Sequence, residues 1–373
     1  MPTGTRGPKV AVVVPGRPSL GEQARTATWR RLTSAIGGRC TIVPVMQEGV
    51  RPSLLRAPGV ATGSLVPEAL AWRPSAVSIA LEVFEPDVVV LQTARTVRPE
   101  LLRGPWPVII DLVDRLSLSY RQRARFVGGP RAALLNGLAR SHRLFEDRIM
   151  EDDAVSHPVV MAGRRDAEDT GAVWLPLVMD PPVLCTPPPV DPPHDVVFFG
   201  SLSYPPNVEA LERLAEGRPT EAGLRVLVAG RRPPARVENL CREHGWSLEA
   251  DFASLRWLAE QAAVAVAPLR STAGIQNKLI DAALAGMPQV VTSESLAGLA
   301  PGFPCMVADE PTELVAEARR LLVDDERRCE LATAAFDHVA ANYSVSRWLP
   351  LFERLIAAAG TVRSDGRETA KAS

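Results

Sequence analysis

This chain of 373 residues has few cysteines, few aromatic side chains and no long apolar run, and these shortages exclude several classes of protein. The five cysteines are odd in number and form no Cys-x-x-Cys pair, which excludes a disulfide-stapled scaffold and a cysteine zinc site. No apolar run reaches the ~18 residues that span a bilayer, and the N-terminus has no hydrophobic signal core. We therefore expect a soluble cytoplasmic protein with reduced thiols.

Lysine is also scarce. Lys9 and Lys371 lie near the chain ends, so Lys278 is the only lysine in the middle of the sequence, and every other basic side chain is arginine. The net charge of −1 provides no overall field that would attract nucleic acid. The five histidines are dispersed and include no His-Glu-x-x-His pattern, so the sequence predicts no metal site.

The length and a hydrophobic content of 46% predict about two domains. The proline-dense segment from Pro181 to Pro193 cannot form a helix or a central strand, so it is the best domain boundary. The predicted organisation is an N-terminal domain at 1–180, a linker at 181–194, a C-terminal domain at 195–343, a crossover helix at 344–360 and a disordered tail at 361–373.

Short β-branched runs alternate with helical patterns in both halves of the chain. Those of the C-terminal half are Asp195–Phe199, Arg225–Ala229, Ala263–Ala267 and Val290–Thr292. The alternation predicts an α/β fold of two Rossmann-like domains, each a parallel sheet covered by helices. Ligands of such sheets bind beyond the carboxyl ends of the strands, so both domains should present loops to a shared cleft.

The clearest functional signal is the segment from Ala263 to Thr292. A buried strand ends at Pro268, a polar loop contains Gly274, and a helix starts near Ile275. A helix N-terminus that follows a glycine loop offers free backbone N–H groups to an anion. Arg270 and Lys278 flank this loop with full charges. The segment therefore predicts a phosphate site.

Several of these residues also have plainer explanations. Lys278 and Asp281 could form only an i,i+3 surface ion pair, and Gly200-Ser201 could be an ordinary turn after a strand. Arg231 could line a nucleotide pocket, although an arginine in an arginine-rich loop is more often solvated.

The order and spacing of these motifs resemble the donor-binding domain of GT-B glycosyltransferases. The motifs are Val197-Phe198-Phe199-Gly200-Ser201, Val226 to Gly230, Ala265 to Leu269, and Gly274-Ile275-Gln276-Asn277-Lys278 leading to Asp281. They are most similar to family 4, the retaining bacterial sugar transferases, over residues 195–345. The resemblance implies a nucleotide-diphosphate-sugar substrate, retention at the anomeric carbon, no metal and no further cofactor. The implied donor-binding residues are Gly200, Ser201, Arg231, Gly274, Ile275, Asn277, Lys278 and Asp281, with Arg270 and Lys278 assisting departure of the diphosphate.

Two departures from the family pattern stand out. Many members carry an acid eight positions before the helix acid that contacts the donor ribose; here the later acid is Asp281 and the earlier position is Ala273. The arginine and lysine that often follow the first strand of this domain are absent after Gly200. Arg270, Lys278 and Arg231 are the cations left to hold the donor diphosphate.

The N-terminal half provides candidates for the acceptor side. Asp111 and Asp114 follow a buried strand, and either could orient an acceptor hydroxyl or take its proton, or could instead cap a helix. The stretch from Asp111 through Ser117 is similar to a segment of the same sugar transferases. Gly16 should face the cleft, and His157 is a weaker candidate.

The segment from Arg121 to Arg143 alternates arginines with apolar residues. It could make weak peripheral contact with anionic lipid or with an anionic acceptor, although a solvated helical face explains the same pattern.

The leading functional hypothesis is a metal-independent glycosyltransferase of the hexosyltransferase type, acting in polysaccharide or natural-product biosynthesis. Its partners would be a nucleotide sugar and a hydroxyl acceptor. One alternative is a nucleotide-sugar epimerase of the same fold, although no cluster of acids and histidine supports it. The other is a non-catalytic nucleotide-sugar-binding partner protein, which the alanine at position 273 keeps open.

Overall fold

The computed structural model describes residues 6–16, 24–45, 58–59, 65–67, 74–125, 127–153, 157–180, 185 and 187–371. The chain forms two compact units, one of residues 1–179 and 343–373 and the other of residues 180–342. We call them unit 1 and unit 2. Part of the predicted linker, residues 181–184 and 186, and the loop at residues 17–21 lie outside the described residues.

Each unit contains a six-stranded sheet whose neighbouring strands are all parallel. The strand order is β2-β1-β3-β4-β5-β6 in unit 1 and β12-β11-β10-β7-β8-β9 in unit 2. The strands are β1 (Lys9–Val14), β2 (Arg39–Pro44), β3 (Val88–Gln92), β4 (Val108–Val113), β5 (Val159–Met161), β6 (Val173–Trp174), β7 (His194–Ser201), β8 (Val226–Arg231), β9 (Ser247–Ala250), β10 (Ala262–Ala267), β11 (Gln289–Val291) and β12 (Met306–Val307).

The α-helices cover both faces of each sheet. They are α1 (Ala24–Ala35), α2 (Pro74–Phe84), α3 (Pro99–Leu102), α4 (Leu116–Ala124), α5 (Gly129–Arg148), α6 (Arg164–Thr170), α7 (Pro205–Glu216), α8 (Ala235–His244), α9 (Leu255–Gln261), α10 (Asn277–Leu284), α11 (Pro311–Leu322), α12 (Asp325–Tyr343) and α13 (Val345–Lys371). Within the described ranges, none of them is long and apolar enough to cross a membrane.

The central strands are apolar throughout because both of their faces are buried. Along β1, Val10 and Val12 join one hydrophobic cluster, whereas Ala11 and Val13 join the cluster on the opposite face. This period of two is that of a strand whose side chains alternate between two layers of helices. The continuous valine run therefore specifies a central parallel strand.

The C-terminal helix α13 belongs to unit 1. Phe352 and Leu355 are buried in the same cluster as Val12 of β1 and Trp29 of α1. The predicted crossover helix is thus present in the fold. The helix continues past Gly360 to Lys371, into the residues for which the sequence predicts a disordered tail.

A buried ion pair links three separate segments of unit 1. Asp111, at the end of β4, accepts hydrogen bonds from Arg25 Nε at 2.7 Å and Nη2 at 2.9 Å, and from Trp29 Nε1 at 2.6 Å. Arg25 Nη1 also donates to the carbonyl oxygens of Leu175 and Pro176. The exposed fraction is 4% for Arg25 and zero for Asp111. This network fixes α1 against the sheet.

The Asp111→Ala substitution should destabilise the protein by about 3–5 kcal/mol, because it leaves the Arg25 charge buried without its partner. The matched control is Arg225→Ala, which removes one partner of the exposed Arg225–Asp195 pair and should cost at most about 1 kcal/mol. Urea unfolding of the three proteins measures both changes. Similar losses in the two variants would show that the buried pair has no special role.

Candidate functional site

The carboxyl edge of the unit 2 sheet brings together the ends of three neighbouring strands, β10, β7 and β8. Gly200 in β7 is paired with Gly230 in β8, and their φ angles are +145° and +156°. A Cβ atom at position 230 would lie 1.8 Å from the carbonyl oxygen of Gly200. Only glycine fits at position 230, because the two strand ends lie very close together.

Lys278, in the first turn of α10, is half-buried at this edge. Its Nζ donates to Asn207 Oδ1 at 2.7 Å and lies 4.1 Å from the centre of the Phe198 ring. Asn207 Nδ2 in turn donates to the carbonyl oxygen of Ser201 at 2.8 Å. Burial lowers the pKa of the Lys278 amine to about 7, because desolvation disfavours its charged form.

Gly200 and Lys278 are immediate neighbours. A Cβ atom at position 200 would lie 3.4 Å from Lys278 Nζ and 3.2 Å from Asn207 Nδ2. The absence of a side chain at position 200 therefore lets the strand end lie close to the Lys278 amine.

The loop between β10 and α10 is held from outside by Glu294. The Glu294 carboxylate accepts from the Thr272 backbone N–H at 2.9 Å and from its hydroxyl at 3.2 Å. Gly274 has a φ of +69°, and a Cβ atom at Gly298 would lie 2.1 Å from the carbonyl oxygen of Gly274. The loop that carries the predicted phosphate site is therefore fixed by close backbone contact and by a carboxylate.

The two arginines predicted to flank the donor differ in their surroundings. Arg270 is 59% exposed and lies 3.9 Å from the Glu209 carboxylate on α7. Arg231 ends β8 in register with Ser201, and both residues are exposed. Ile275 and the exposed Asn277 bracket the start of α10. All of these predicted donor residues thus lie at or next to one edge of the sheet.

Asp281 lies one turn beyond Lys278 in α10. Burial raises the pKa of its carboxyl group to about 6. The ion pairs found among the described residues do not include one between Asp281 and Lys278, whose amine donates to Asn207 instead. The alternative that these two residues form only a helical ion pair is therefore wrong.

Asp111, one of the two candidate acids of unit 1, does not suit catalysis. The residue is fully buried, and both of its carboxylate oxygens accept hydrogen bonds. Oδ2 accepts from Arg25 Nε and Trp29 Nε1, and Oδ1 accepts from Arg25 Nη2 and the Val113 N–H. Capping is also wrong for the predicted acids, because α4 begins after Arg115 and has no side-chain cap. Asp111 is a structural residue of the unit 1 core.

Asp114, three residues after Asp111, has a different environment. The pKa of its carboxyl group is raised to about 7, mainly by burial and also by the neighbouring Asp166 and Glu146, while Arg95 lowers it. Val113 beside it has a φ of +66°, and Thr93, at the end of the adjacent β3, has a φ of +72°. Positive φ at a β-branched residue is strained, and such strain is concentrated at functional sites.

The other three acceptor-side candidates lie in different parts of unit 1. The Ser117 hydroxyl and N–H donate to the buried Glu146 carboxylate at 2.5 and 3.0 Å, so Ser117 holds α4 against α5. His157 precedes β5 and so lies toward the amino edge of the sheet, opposite to the ligand edge, which argues against its predicted role. Gly16 follows β1 at the carboxyl edge, with open space around its α-carbon.

Sequence reasoning missed two residues of the unit 2 site. Asn207 lies in the first turn of α7 and bonds to Lys278, and Glu294 reaches the glycine loop from 22 residues further along the chain. Asn207 follows the end of β7 by six residues, and no spacing rule tied it to Lys278. Nothing in the spacing of Glu294 indicated its contact.

Comparison with known proteins relates unit 2 to one sequence family. Residues 193–324 match the sequence profile of a family described as Glycosyl transferases group 1. No curated protein matches the chain at a significant level. The matched stretch contains β7, β8, β10 and α10, and therefore every residue of the unit 2 site.

Solved glycosyltransferase structures share the fold at low sequence identity. Sucrose-phosphate synthase from Thermosynechococcus elongatus is 15% identical with a TM-score of 0.64, covering 98% of this chain and 100% of that chain. Anabaena HepE with UDP and glucose is 12% identical with a TM-score of 0.56, covering 98% and 100%. S. aureus TarM is 9% identical with a TM-score of 0.55, covering 74% of this chain, which spans only 57% of TarM. The predicted α/β fold of the GT-B class is confirmed.

The Gly298→Ala substitution should lower the free energy of unfolding by about 1–3 kcal/mol, because the added methyl group must displace the Gly274 backbone. Gly360→Ala is the matched control, since Gly360 is helical with open space around it and should tolerate the change or gain stability. Denaturant unfolding measures both. Equal stabilities would show that the loop adapts without strain.

Proposed function

Because residues 193–324 match the glycosyl transferases group 1 family, we propose that this protein transfers a sugar from a nucleotide-diphosphate donor to an acceptor hydroxyl. Retention at the anomeric carbon, independence from metal ions, membership of family 4 and a role in polysaccharide or natural-product biosynthesis belong to the same proposal. That HepE was solved with UDP and glucose supports a nucleoside diphosphate as the leaving group.

The observation that carries the proposal is the Lys278 amine beside Gly200 at the carboxyl edge of the unit 2 sheet. As the glycosidic bond breaks, negative charge grows on the departing diphosphate. A cation held in place by Asn207 stabilises that charge more strongly in the transition state than in the ground state. Burial beside Phe198 strengthens the attraction, because little water screens it.

The neighbouring residues provide the remaining contacts. The free N–H groups at the start of α10 and the close approach that Gly274 allows would bind the phosphate oxygens. Arg231 and Arg270 are exposed and long enough to add bidentate contacts, although Arg270 must first leave Glu209. Asp281 would accept hydrogen bonds from the ribose hydroxyls.

On the acceptor side, Asp114 is the acid whose environment suits proton transfer. A pKa of about 7 lets a carboxyl group exchange a proton at neutral pH, whereas Asp111 is locked in its ion pair with Arg25. Asp114 would therefore orient the acceptor hydroxyl or receive its proton.

One observation favours a second candidate, a protein that binds nucleotide sugars without turnover. Ala273 stands where many family 4 members carry an acid. The carboxylate of Glu294 reaches the adjacent Thr272, but both of its contacts there serve to hold the loop. Turnover is the property that separates the two candidates.

The Lys278→Ala substitution should weaken binding of nucleoside diphosphates and nucleotide sugars by about 10- to 100-fold, the loss expected for a hydrogen bond to a charged group. Binding of the bare nucleosides should change little. Calorimetric titration measures both, with the exposed Arg218→Ala as the matched control.

Equal losses for nucleosides and diphosphates would contradict the assignment of Lys278. Product analysis with and without an acceptor tests the reaction itself. Transfer that requires the acceptor supports a glycosyltransferase, and turnover without acceptor would indicate the epimerase. Binding that never leads to turnover would indicate the non-catalytic partner.

Nucleotide-sugar affinity should fall as the pH rises above about 7, because the Lys278 amine then loses the proton that attracts the diphosphate. The limiting slope is about tenfold per pH unit. In Lys278→Arg the guanidinium stays charged, so its affinity should be independent of pH between 7 and 9, above the range in which Asp281 titrates. The profile of Lys278→Ala should also be flat, and a wild-type slope retained in that variant would assign the titration to another group.

A further inference from the structure

Unit 2 contains a cavity of about 470 Å³ that is separate from the donor-binding residues. Helix α9 provides one wall with Leu255, Ala259 and Glu260, and the end of α10 provides another with Leu284 and Ala285. Helix α9 leads directly into the first residue of β10, and α10 runs from the carboxyl edge of the sheet to its end at Leu284. The cavity therefore lies toward the amino edge of the sheet, opposite to the proposed donor site.

The walls of this cavity are mainly apolar. Leu255 and Ala259 line it from α9, and Pro187 and Pro189 line it from the linker before β7. Its volume falls within the ~300–1,000 Å³ of small-molecule sites, which combine apolar walls with a few polar groups that orient the ligand. The polar groups on the wall therefore determine which class of ligand fits.

The charged residues on the wall favour a cation. Among the described residues that line the cavity, Asp180 and Glu260 are acids and Arg256 is the single base. Arg256 Nε lies 3.1 Å from Glu260 Oε1, so this base already has an anionic partner on the same helix. An anionic ligand would have to compete with Glu260 for Arg256, whereas a cationic ligand is attracted by the carboxylates.

The end of α10 adds a hydrogen-bond acceptor. The carbonyl oxygens of residues 281–283 each accept from a backbone N–H within the next five residues. The residue four positions after Leu284 is Pro288, which has no N–H to donate. The carbonyl group of Leu284 therefore lacks its regular helical donor at the negative end of the helix dipole, and Leu284 lines the cavity.

We propose that this cavity binds a small organic cation, an ammonium group carried on an apolar body. The ammonium would donate to the Leu284 carbonyl oxygen and lie near the Glu260 carboxylate, while the apolar body would pack against Leu255 and Ala259. An ammonium group has three donors and no acceptor, which matches a wall that offers carbonyl and carboxylate oxygens. The negative end of α10 adds to the attraction for its charge.

Ligand-observed fluorine NMR on the full chain tests this proposal and needs no sugar-transfer activity, so it is independent of the proposed function. The three probes are 4-fluorobenzylamine, 4-fluorobenzyl alcohol and 4-fluorobenzoate, which share one ring and differ in the charge of the head group. At neutral pH the amine should bind about tenfold more tightly than the benzoate, with the alcohol between them, and rising salt should reduce the difference.

Substitutions of the charged wall should change affinity for the amine alone. Glu260→Gln should weaken binding of the amine about two- to fivefold, because it removes a carboxylate that is 59% exposed, and should leave the alcohol unaffected. Arg256→Gln should tighten binding of the amine by a similar factor, because the Glu260 carboxylate loses its partner. The matched control is Glu330→Gln, which removes a carboxylate that is 57% exposed from a helical ion pair elsewhere in unit 2 and should bind like the wild type.

Filling the cavity tests its location. Ala285→Phe places a ring in the cavity and should abolish binding of both the amine and the alcohol, with circular dichroism and thermal unfolding establishing that each variant is folded. Equal affinity for the amine and the benzoate would overturn the proposal. So would the absence of binding by all three probes, equal weakening by Glu260→Gln and Glu330→Gln, or amine binding that a folded Ala285→Phe variant retains.

Discussion

The functional edge of unit 2 depends on one constraint, a lysine amine placed where it is costly to charge. Lys278 Nζ has Phe198 on one side and a single amide oxygen of Asn207 as its hydrogen-bond acceptor. An amine buried in this way loses hydration and gains little in return, so its pKa falls. A bound diphosphate would replace the lost hydration of the Lys278 amine with a favourable charge interaction. The site is thus prepared for an anion without enclosing a counter-ion of its own.

The parallel sheet makes this arrangement possible. Strands β10, β7 and β8 lie side by side, and β7 and β8 stay paired through Gly200–Gly230 to Ser201–Arg231. The glycine loop before α10 meets the same edge and is fixed by Glu294. The backbone N–H groups at the start of α10 and the Lys278 amine therefore lie at the same edge of the sheet. Such preorganisation is what stabilises charge in a transition state.

The central strands could be predicted from the sequence. Contacts between side chains far apart in the chain could not. Apolar runs predicted β7, β8 and β10 to within a residue or two, because a strand buried on both faces has few alternatives. The short strands β5, β6, β9 and β12 went unpredicted, since two to four residues carry little periodicity. Likewise Lys278 was identified from its rarity and its loop, whereas Glu294 could be found only from the structure.

The two acids at the end of β4 show why spacing alone does not assign chemistry. Asp111 lies in β4 and Asp114 directly follows that strand, yet the first is in the core, where it pairs with Arg25. Val113, with a φ of +66°, precedes Asp114, whose pKa is raised to about 7 first by burial and then by the nearby carboxylates of Asp166 and Glu146. Had Val113 continued the strand, the alternation of side chains would have placed Asp114 on the face opposite to Asp111 within the sheet. Val113 instead has a positive φ, so the regular alternation of the strand ends before Asp114.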